Sequence, residues 1–359
     1  INDRIVKLNI LGHDDPTMIR MLDNMLGEGY CKNIPVGDPD TMELFLSTKS
    51  IGVSPEDIMT DVATYGVPEC GTRFVRQMIS DVKPKNFSDL LRISGYSHGT
   101  DVWLNNAQDL IKNGTPTEDT ISTRDDIMNW LINKGMEPSM AFGIMEWARK
   151  GKAHKQGFKA EQEEAFKKAN IPEFYIKSCK TLQYLFPKAH AVAYVLSAYR
   201  IAYCKVHHPK EFYSAYFTIR APKFDFVEVH KGINFMRSFI KNVGQQGTKA
   251  SVNDKETATY MELAVEMLAR GFEFEDVDLY RSDAHQFIVT DKGLLPPLGA
   301  IGGIGGVAAE NIVKARSKGP FISREDLRNR AKISNTAVEV LADLGVLEGL
   351  PETDQIELF

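Results

Sequence analysis

Residues 177–220 read KSCKTLQYLFPKAHAVAYVLSAYRIAYCKVHHPKEFYSAYFTIR, and no other stretch says as much about fold or function. Seven cations (Lys177, Lys180, Lys188, Arg200, Lys205, Lys210, Arg220) stand against one acid, Glu211, for a local charge of +6 in a chain whose net charge is −5. Tyrosines and phenylalanines are threaded between them. Positive charge gathered against the overall sign points to polyphosphate or nucleic acid, and interleaved rings offer faces on which bases stack. The alternative is a core helix with a solvated basic flank, which leaves the word FPKAHA unexplained. AHAVAYVLSAYRIAYCKV is unusually apolar for a soluble helix and predicts burial nearly all round. His207-His208-Pro209 reads as its terminator rather than a metal site, since adjacent histidines rarely aim at one ion.

Outward from this stretch, a chain of 359 residues predicts two or three domains. Its 43% hydrophobic and 25% charged residues are those of a folded soluble protein. No apolar run approaches the roughly 20 residues of a membrane span. Ile1 follows no signal pattern and there is no initiator Met, which predicts a fragment of something longer. Cys31, Cys70, Cys179 and Cys204 are scattered, with no zinc spacing, and suit a reducing cytoplasm. A second basic segment, 314–332, carries +5, while 254–283 between the two carries −6. Two basic surfaces parted by an acidic one predict a duplex gripped in two places.

Helical periodicity dominates, so the expected fold class is mainly α. IVKLNIL at 5–11 alternates as a strand does, and 286–298 suits a short hairpin. Pro16 opens one helix, Ser88 precedes another, and Gly135 C-caps a third. PSMAFGIMEWARKG predicts Met140, Ile144 and Trp147 on one helical face, with Arg149 and Lys150 delivered at its end.

LGAIGGIGGVAAENIVKAR at 298–316 reads as a helix-hairpin-helix, the hairpin being residues 301–305 and the following helix turning Val307, Ala308, Ile312 and Ala315 inward. Gly303 and Gly305 allow positive φ and uncover backbone N–H groups. At a helix N-terminus these bind a DNA phosphate without reading sequence. Lys314 and Arg316 would add charge. KISNTAVEVLADLGVLEGL at 332–350 resembles the second half of a tandem pair without a glycine hairpin, and is expected to pack rather than bind.

FPKAHAVAYVLSAYRIAYCKVHHP resembles the fingers of C-family bacterial replicative DNA polymerases of the PolC type, and LGHDDPTMIRML (11–22), GTRFVRQM (71–78), SHGTDVW (97–103), RDDIM (124–128) and the last five residues agree. Such words recur from residue 7 to residue 359. The resemblance implies a division into the end of the palm (1–16), helical fingers (17–230), an acidic helical connector (231–290), the duplex-binding module (291–350) and a clamp-binding tail (351–359). It implies nucleotide contacts at Lys188 and His190, with Arg149, Lys152, Arg73, Arg76 and His98 as further candidates around the triphosphate. Fixed cations would stabilise the departing pyrophosphate. Arg200 and Lys205 are weaker candidates, toward DNA.

The reaction would need two divalent cations, taken as Mg²⁺, on palm carboxylates. Asn9 in KLNILGHDD stands where the motif has its third aspartate, and an amide oxygen brings no negative charge. Asn9 is native, substituted, or offset by Asp14 or Asp15. No metal ligand is assigned in this chain, and alone it is expected to be inactive. Gln355, Leu358 and Phe359 are similar to the pentapeptide by which such polymerases grip the sliding clamp. The implied partners are primer-template DNA, dNTP, the clamp and the remaining polymerase domains, in the cytoplasm and with no membrane. Two rival readings are a non-catalytic DNA-binding and clamp-tethering module, and a helix-hairpin-helix repair protein. The latter needs a catalytic carboxylate or lysine beside the hairpin, and none stands out.

Overall fold

The computed structural model describes residues 12–353. The strand expected at 5–11, Asn9, and the tail residues Gln355, Leu358 and Phe359 lie outside them. The chain folds as two compact units, one of Lys32–Val206 and one joining the residues up to Cys31 with those from His207 on. Helix α1 (Asp15–Leu26) belongs to the second of these. Unit Lys32–Val206 holds α2 (Pro39–Glu43), α3 (Pro55–Ile58), α4 (Arg73–Val82), α5 (Phe87–His98), α6 (Gln108–Lys112), α7 (Arg124–Asn133), α8 (Pro138–Ala148), α9 (Lys152–Gln156), α10 (Ala160–Lys168), α11 (Glu173–Thr181) and most of α12 (Lys188–His207). The other continues with α13 (Pro209–Ile219), α14 (Phe226–His230), α15 (Ile233–Gln246), α16 (Val252–Ala269), strands β1 (Glu273–Phe274), β2 (Ile288–Val289) and β3 (Gly293–Leu295), then α17 (Gly306–Arg316), α18 (Arg324–Ala331) and α19 (Asn335–Asp343). The mainly helical class is as the periodicity indicates.

Local chemistry sets most boundaries. Pro16 sits in the first turn of α1, and Gly135 follows α7 at φ 87°, donating its N–H to Ile132 O. Helix α5 begins earlier than expected, because Asn86 rather than Ser88 accepts from the Asp89 N–H as N-cap. The α8 core stripe is Ala141, Ile144, Met145 and Ala148, with Met140 and Trp147 on its flanks. The expected hairpin at 286–298 is present: β2 pairs antiparallel with β3, which pairs parallel with β1.

In unit Lys32–Val206, Trp130 stacks on the buried Tyr175 with centroids 3.8 Å apart. In the other unit, Phe217, Phe224, Phe274 and Phe287 form a ring cluster, and buried Glu266 accepts from Tyr213 Oη at 2.7 Å. Arg220 pairs there with buried Asp15 at 2.7 Å, so Asp15 is committed to holding α1 to the end of α13.

Helix α12 departs from the expected all-round burial. Its later turns bury Ala198, Tyr199, Ile201, Ala202 and Cys204, but Ala189, Val192 and Ala193 face solvent near its start. Two of those three are alanines, whose small apolar area demands little cover. The helix ends at His207, and His208 and Pro209 open α13, with His208 Nε2 2.6 Å from Tyr30 Oη. Among the described residues no helix is long and apolar enough to cross a membrane.

Candidate nucleotide and nucleic-acid interface

Residues 182–187 run extended between α11 and α12. Thr100 and Tyr184 bridge antiparallel, Leu185 N–H reaches Arg149 O at 3.4 Å, and Arg124 N–H reaches Phe186 O at 3.0 Å. Asp125 Oδ2 accepts from the Lys188 N–H at 2.7 Å and so satisfies a donor at the start of α12. The segment is thereby pinned to α5, α7 and α8, and its side chains are displayed in a fixed order. Tyr184 meets Phe186 edge-on at 5.2 Å, Phe186 stacks on His190 at 5.0 Å, and His190 lies 4.5 Å from Tyr194. Tyr184 is 45% exposed. Lys188, half-exposed at the helix start, has no ion-pair partner among the described residues.

His98 stands beside this ladder, 5.5 Å from Phe186 and 6.2 Å from His190. Its Nε2 is 2.9 Å from Glu69 Oε2 and its Nδ1 2.7 Å from Ser94 O. With an acceptor at each nitrogen the ring is best satisfied as imidazolium. The hydrogen bond to Glu69, then that to Ser94, raise its pKa above the usual value despite burial. Glu69 adopts φ 64°, a left-handed backbone unusual for a non-glycine residue. His190 goes the other way: desolvation, then the charge of His98, lower its pKa. One histidine is kept charged and its neighbour neutral, so His190 at neutral pH offers one donor and one acceptor.

The remaining candidates divide. Arg149 binds Glu146 through Nε and, at 2.8 Å, through Nη2, and Lys150 reaches the same carboxylate at 2.8 Å. These bonds pull Glu146 down to about 2. Lys152 lies over Trp147, 4.8 Å from its centroid. Arg73 is exposed, but Arg76 is buried, donates to Gly71 O and covers the Tyr65 ring at 4.4 Å. Three apart on one helix, the two still do not form a shared cationic face, because Arg76 is consumed in building its own loop. Arg200 is half-buried and donates to Lys32 O at 3.3 Å.

Lys205 corrects the expectation of a DNA contact. It is fully buried, with Nζ 2.6 Å from both Ala63 O and Tyr65 O, so its chemistry is spent on the carbonyls of a turn.

In the other unit the hairpin glycines have separate jobs. Gly302 N–H donates to Asp225 Oδ1 at 3.1 Å, and a Cβ there would lie 2.3 Å from that carboxylate. Gly303 takes φ 91° and is exposed. Gly305, the N-cap of α17, has ordinary φ −70° and open space where a side chain would project. Ahead of the hairpin stands a single 3₁₀ turn, Leu298–Ala300, rather than a full helix. Ala309, Ile312 and Ala315 face the core, whereas Val307, expected inside, is 73% exposed because it falls on the first turn beside the open hairpin. Lys314 is exposed. Arg316 is not available in the same way: it donates to Leu279 O at 2.7 Å, and desolvation lowers its pKa. Arg330 likewise binds Ala315, Gly319 and Pro320 carbonyls and Asp326. The α18–α19 turn has no glycine hairpin. Lys332 supplies its left-handed residue at φ 53°.

Glu69, Asp125 and Asp225 escaped the sequence reading. Each acts through a partner distant in sequence, and no local spacing announces that.

Residues 15–171 match the family described as the bacterial DNA polymerase III alpha subunit finger domain, and residues 271–355 match the helix-hairpin-helix motif. The chain is 53% identical over its whole length to a protein of Oceanobacillus iheyensis named DNA polymerase III PolC-type, covering 25% of that protein. Relatives with the same name in Bacillus subtilis and Clostridium perfringens are 52% and 49% identical, again over the entire chain and 25% and 24% of their own lengths. With fingers and hairpin matched in the order in which the chain presents them, the chain is similar over its whole length to part of the proteins named DNA polymerase III PolC-type and spans about a quarter of the length of the curated relatives it matches.

Proposed function

We propose that this chain acts within a replicative DNA polymerase as the part that receives the incoming dNTP, holds primer-template duplex and tethers the enzyme to the sliding clamp. The reaction served is addition of dNTPs to a primer 3′-end. The observation that carries the reading is the start of α12: Lys188, without an ion-pair partner among the described residues, beside the Tyr184–Phe186–His190–Tyr194 ladder with His190 held neutral. A cation for phosphate, a neutral donor and ring faces are what a nucleoside triphosphate requires. Arg73, His98, Arg149 and Lys152 surround this role as supporting candidates, His98 by setting the state of His190. Residues 17–230 would be the fingers, 231–290 a connector and 291–350 the duplex module, working in the cytoplasm with the remaining polymerase domains.

Duplex binding rests on the exposed Gly303 and the open Gly305 at the head of α17, with Lys314 adding charge. Mg²⁺ in the complete polymerase would be held by palm carboxylates and would supply charge stabilisation at the phosphates. Asn9, at the third of those positions, would weaken such a site.

In the complete polymerase Lys188→Ala is expected to raise the KM for dNTP about tenfold, with primer-template affinity nearly retained. Steady-state kinetics over a dNTP series checks this, and a mutant impaired only in DNA binding would move Lys188 to the template groove. For the tail, Leu358→Ala with Phe359→Ala should abolish clamp binding in surface plasmon resonance and leave synthesis on short primers intact, because a few apolar anchors hold most of such an interface. Full clamp binding by the double mutant would place the contact elsewhere.

A further inference from the structure

The segment that leads into the tail is built into the head of α18. The N–H groups of Arg324 and Glu325 are among the four donors that a helix leaves free at its start. They reach Pro351 O at 2.8 Å and Glu352 O at 3.1 Å. Arg324 Nη1 adds an ion pair to Glu352 Oε1 at 2.6 Å. Ser323 caps the same turn, its Oγ accepting from the Asp326 N–H at 2.9 Å. The point at which the chain leaves the module is therefore fixed by the helix itself, and Glu352 is no loose end.

Two residues before Arg324, Ile322 points away from the core. Phe321 and Ser323 on either side of it are buried, while Ile322 is 64% exposed. Its neighbour is held inward: Tyr280 Oη accepts from the Phe321 N–H at 3.0 Å, and Arg330 covers the Phe321 ring at 4.6 Å. The Ile322 N–H is engaged by Asp326 Oδ2 at 3.2 Å, so the backbone is tied down here as well. Tyr280, 46% exposed, stands beside this turn. A single exposed isoleucine is ordinary on a protein surface. What distinguishes Ile322 is its place at the root of the tail.

Only Thr353 and Asp354 separate Glu352 from Gln355. A chain advances at most about 3.6 Å per residue, so whatever takes up Gln355 must come within about 11 Å of Glu352. A stable interface covers about 800 Å² on each partner, a patch of roughly 16 Å radius that draws on about 20–30 residues, far more than a tail of five. A partner that grips the tail therefore overlies the head of α18 as well. We infer that Ile322, with Tyr280 beside it, is a second contact with the sliding clamp, packing on an apolar patch next to the pocket that takes Leu358 and Phe359. Because Arg324 and Glu325 hold the root of the tail, the two contacts are presented together and little further ordering is needed to make the second. The inference rests on the reading of the tail as the clamp-binding segment.

The test uses the complete polymerase over immobilised clamp in surface plasmon resonance. Ile322→Ser should weaken clamp binding about tenfold, mostly through faster dissociation, and Ile322→Val should retain it. A synthetic peptide of residues 351–359, which has the tail without the second contact, should bind no more tightly than the Ile322→Ser polymerase. Primer-template affinity and clamp-free synthesis on short primers should be unchanged in Ile322→Ser, which also reports intact folding. Unchanged clamp affinity in that variant, a loss of duplex affinity in its place, or a peptide as tight as the wild-type polymerase would each overturn the inference. Leu358→Ala with Phe359→Ala on the same surface keeps the two readings apart. Full binding by that double mutant removes the tail reading and this inference with it, whereas loss there with Ile322→Ser unaffected removes only the second contact.

Discussion

The start of α12 and the hairpin at 301–305 were picked out by one criterion, a motif set among cations, and they use it oppositely. At α12 the display is made of side chains: Lys188 and a ladder of rings, pinned from behind by Asp125 and Thr100. At the hairpin the display is backbone, with Gly303 and Gly305 leaving N–H groups uncovered while much nearby charge is inward-directed, Arg316 on Leu279 O and Arg330 on three carbonyls. Cations that are dense in sequence thus fall into two populations: those that stitch loops and those left for an external anion. Only the second counts toward DNA affinity.

The largest effect that separates these populations is expected at Lys205. Lys205→Ala strips two buried carbonyls of their donor and leaves a cavity, so the chain should lose about 3 kcal/mol or more of stability in urea unfolding. The folded fraction should bind duplex as before. A stable mutant with weakened DNA binding would move Lys205 to the second population, the cations left for an external anion, and break the comparison.

A smaller and sharper effect is expected at Gly305. Its backbone is ordinary and a side chain meets nothing, so Gly305→Asp should fold, and a carboxylate at an N-cap even favours the helix. Facing phosphate, the same carboxylate should cost about tenfold in affinity for every duplex alike. Melting temperature and anisotropy measured together check both signs, and unchanged affinity would remove the hairpin from the interface.

Helical class, the β2–β3 hairpin, the Gly135 stop and the glycine hairpin were legible because each is a local pattern: period, turn chemistry or spacing. The palm-strand and tail residues fall outside the described residues. What stayed hidden is pairing at a distance. Arg76 and Lys205 look in sequence like any surface cation, and only the carbonyls of residues 63, 65 and 71 reveal their task. Val307 looks like a core residue, and only its place on the first turn of α17, beside the open hairpin, leaves it outside. The raised pKa of His98 depends on Glu69, about 30 positions away, and the lowered pKa of His190 on its burial and then on His98, through geometry that no spacing encodes.

Lys205 has a consequence for the reactivity of the chain. An amine with zero exposure and two short hydrogen bonds cannot present its lone pair to an acylating reagent, whereas Lys152, Lys155 and Lys177 on the surface can. In the native chain, amine-directed labelling should therefore sort its lysines by environment. Acylation of Lys205 would require the turn at 63–65 to open, so its rate would clock the breathing of unit Lys32–Val206.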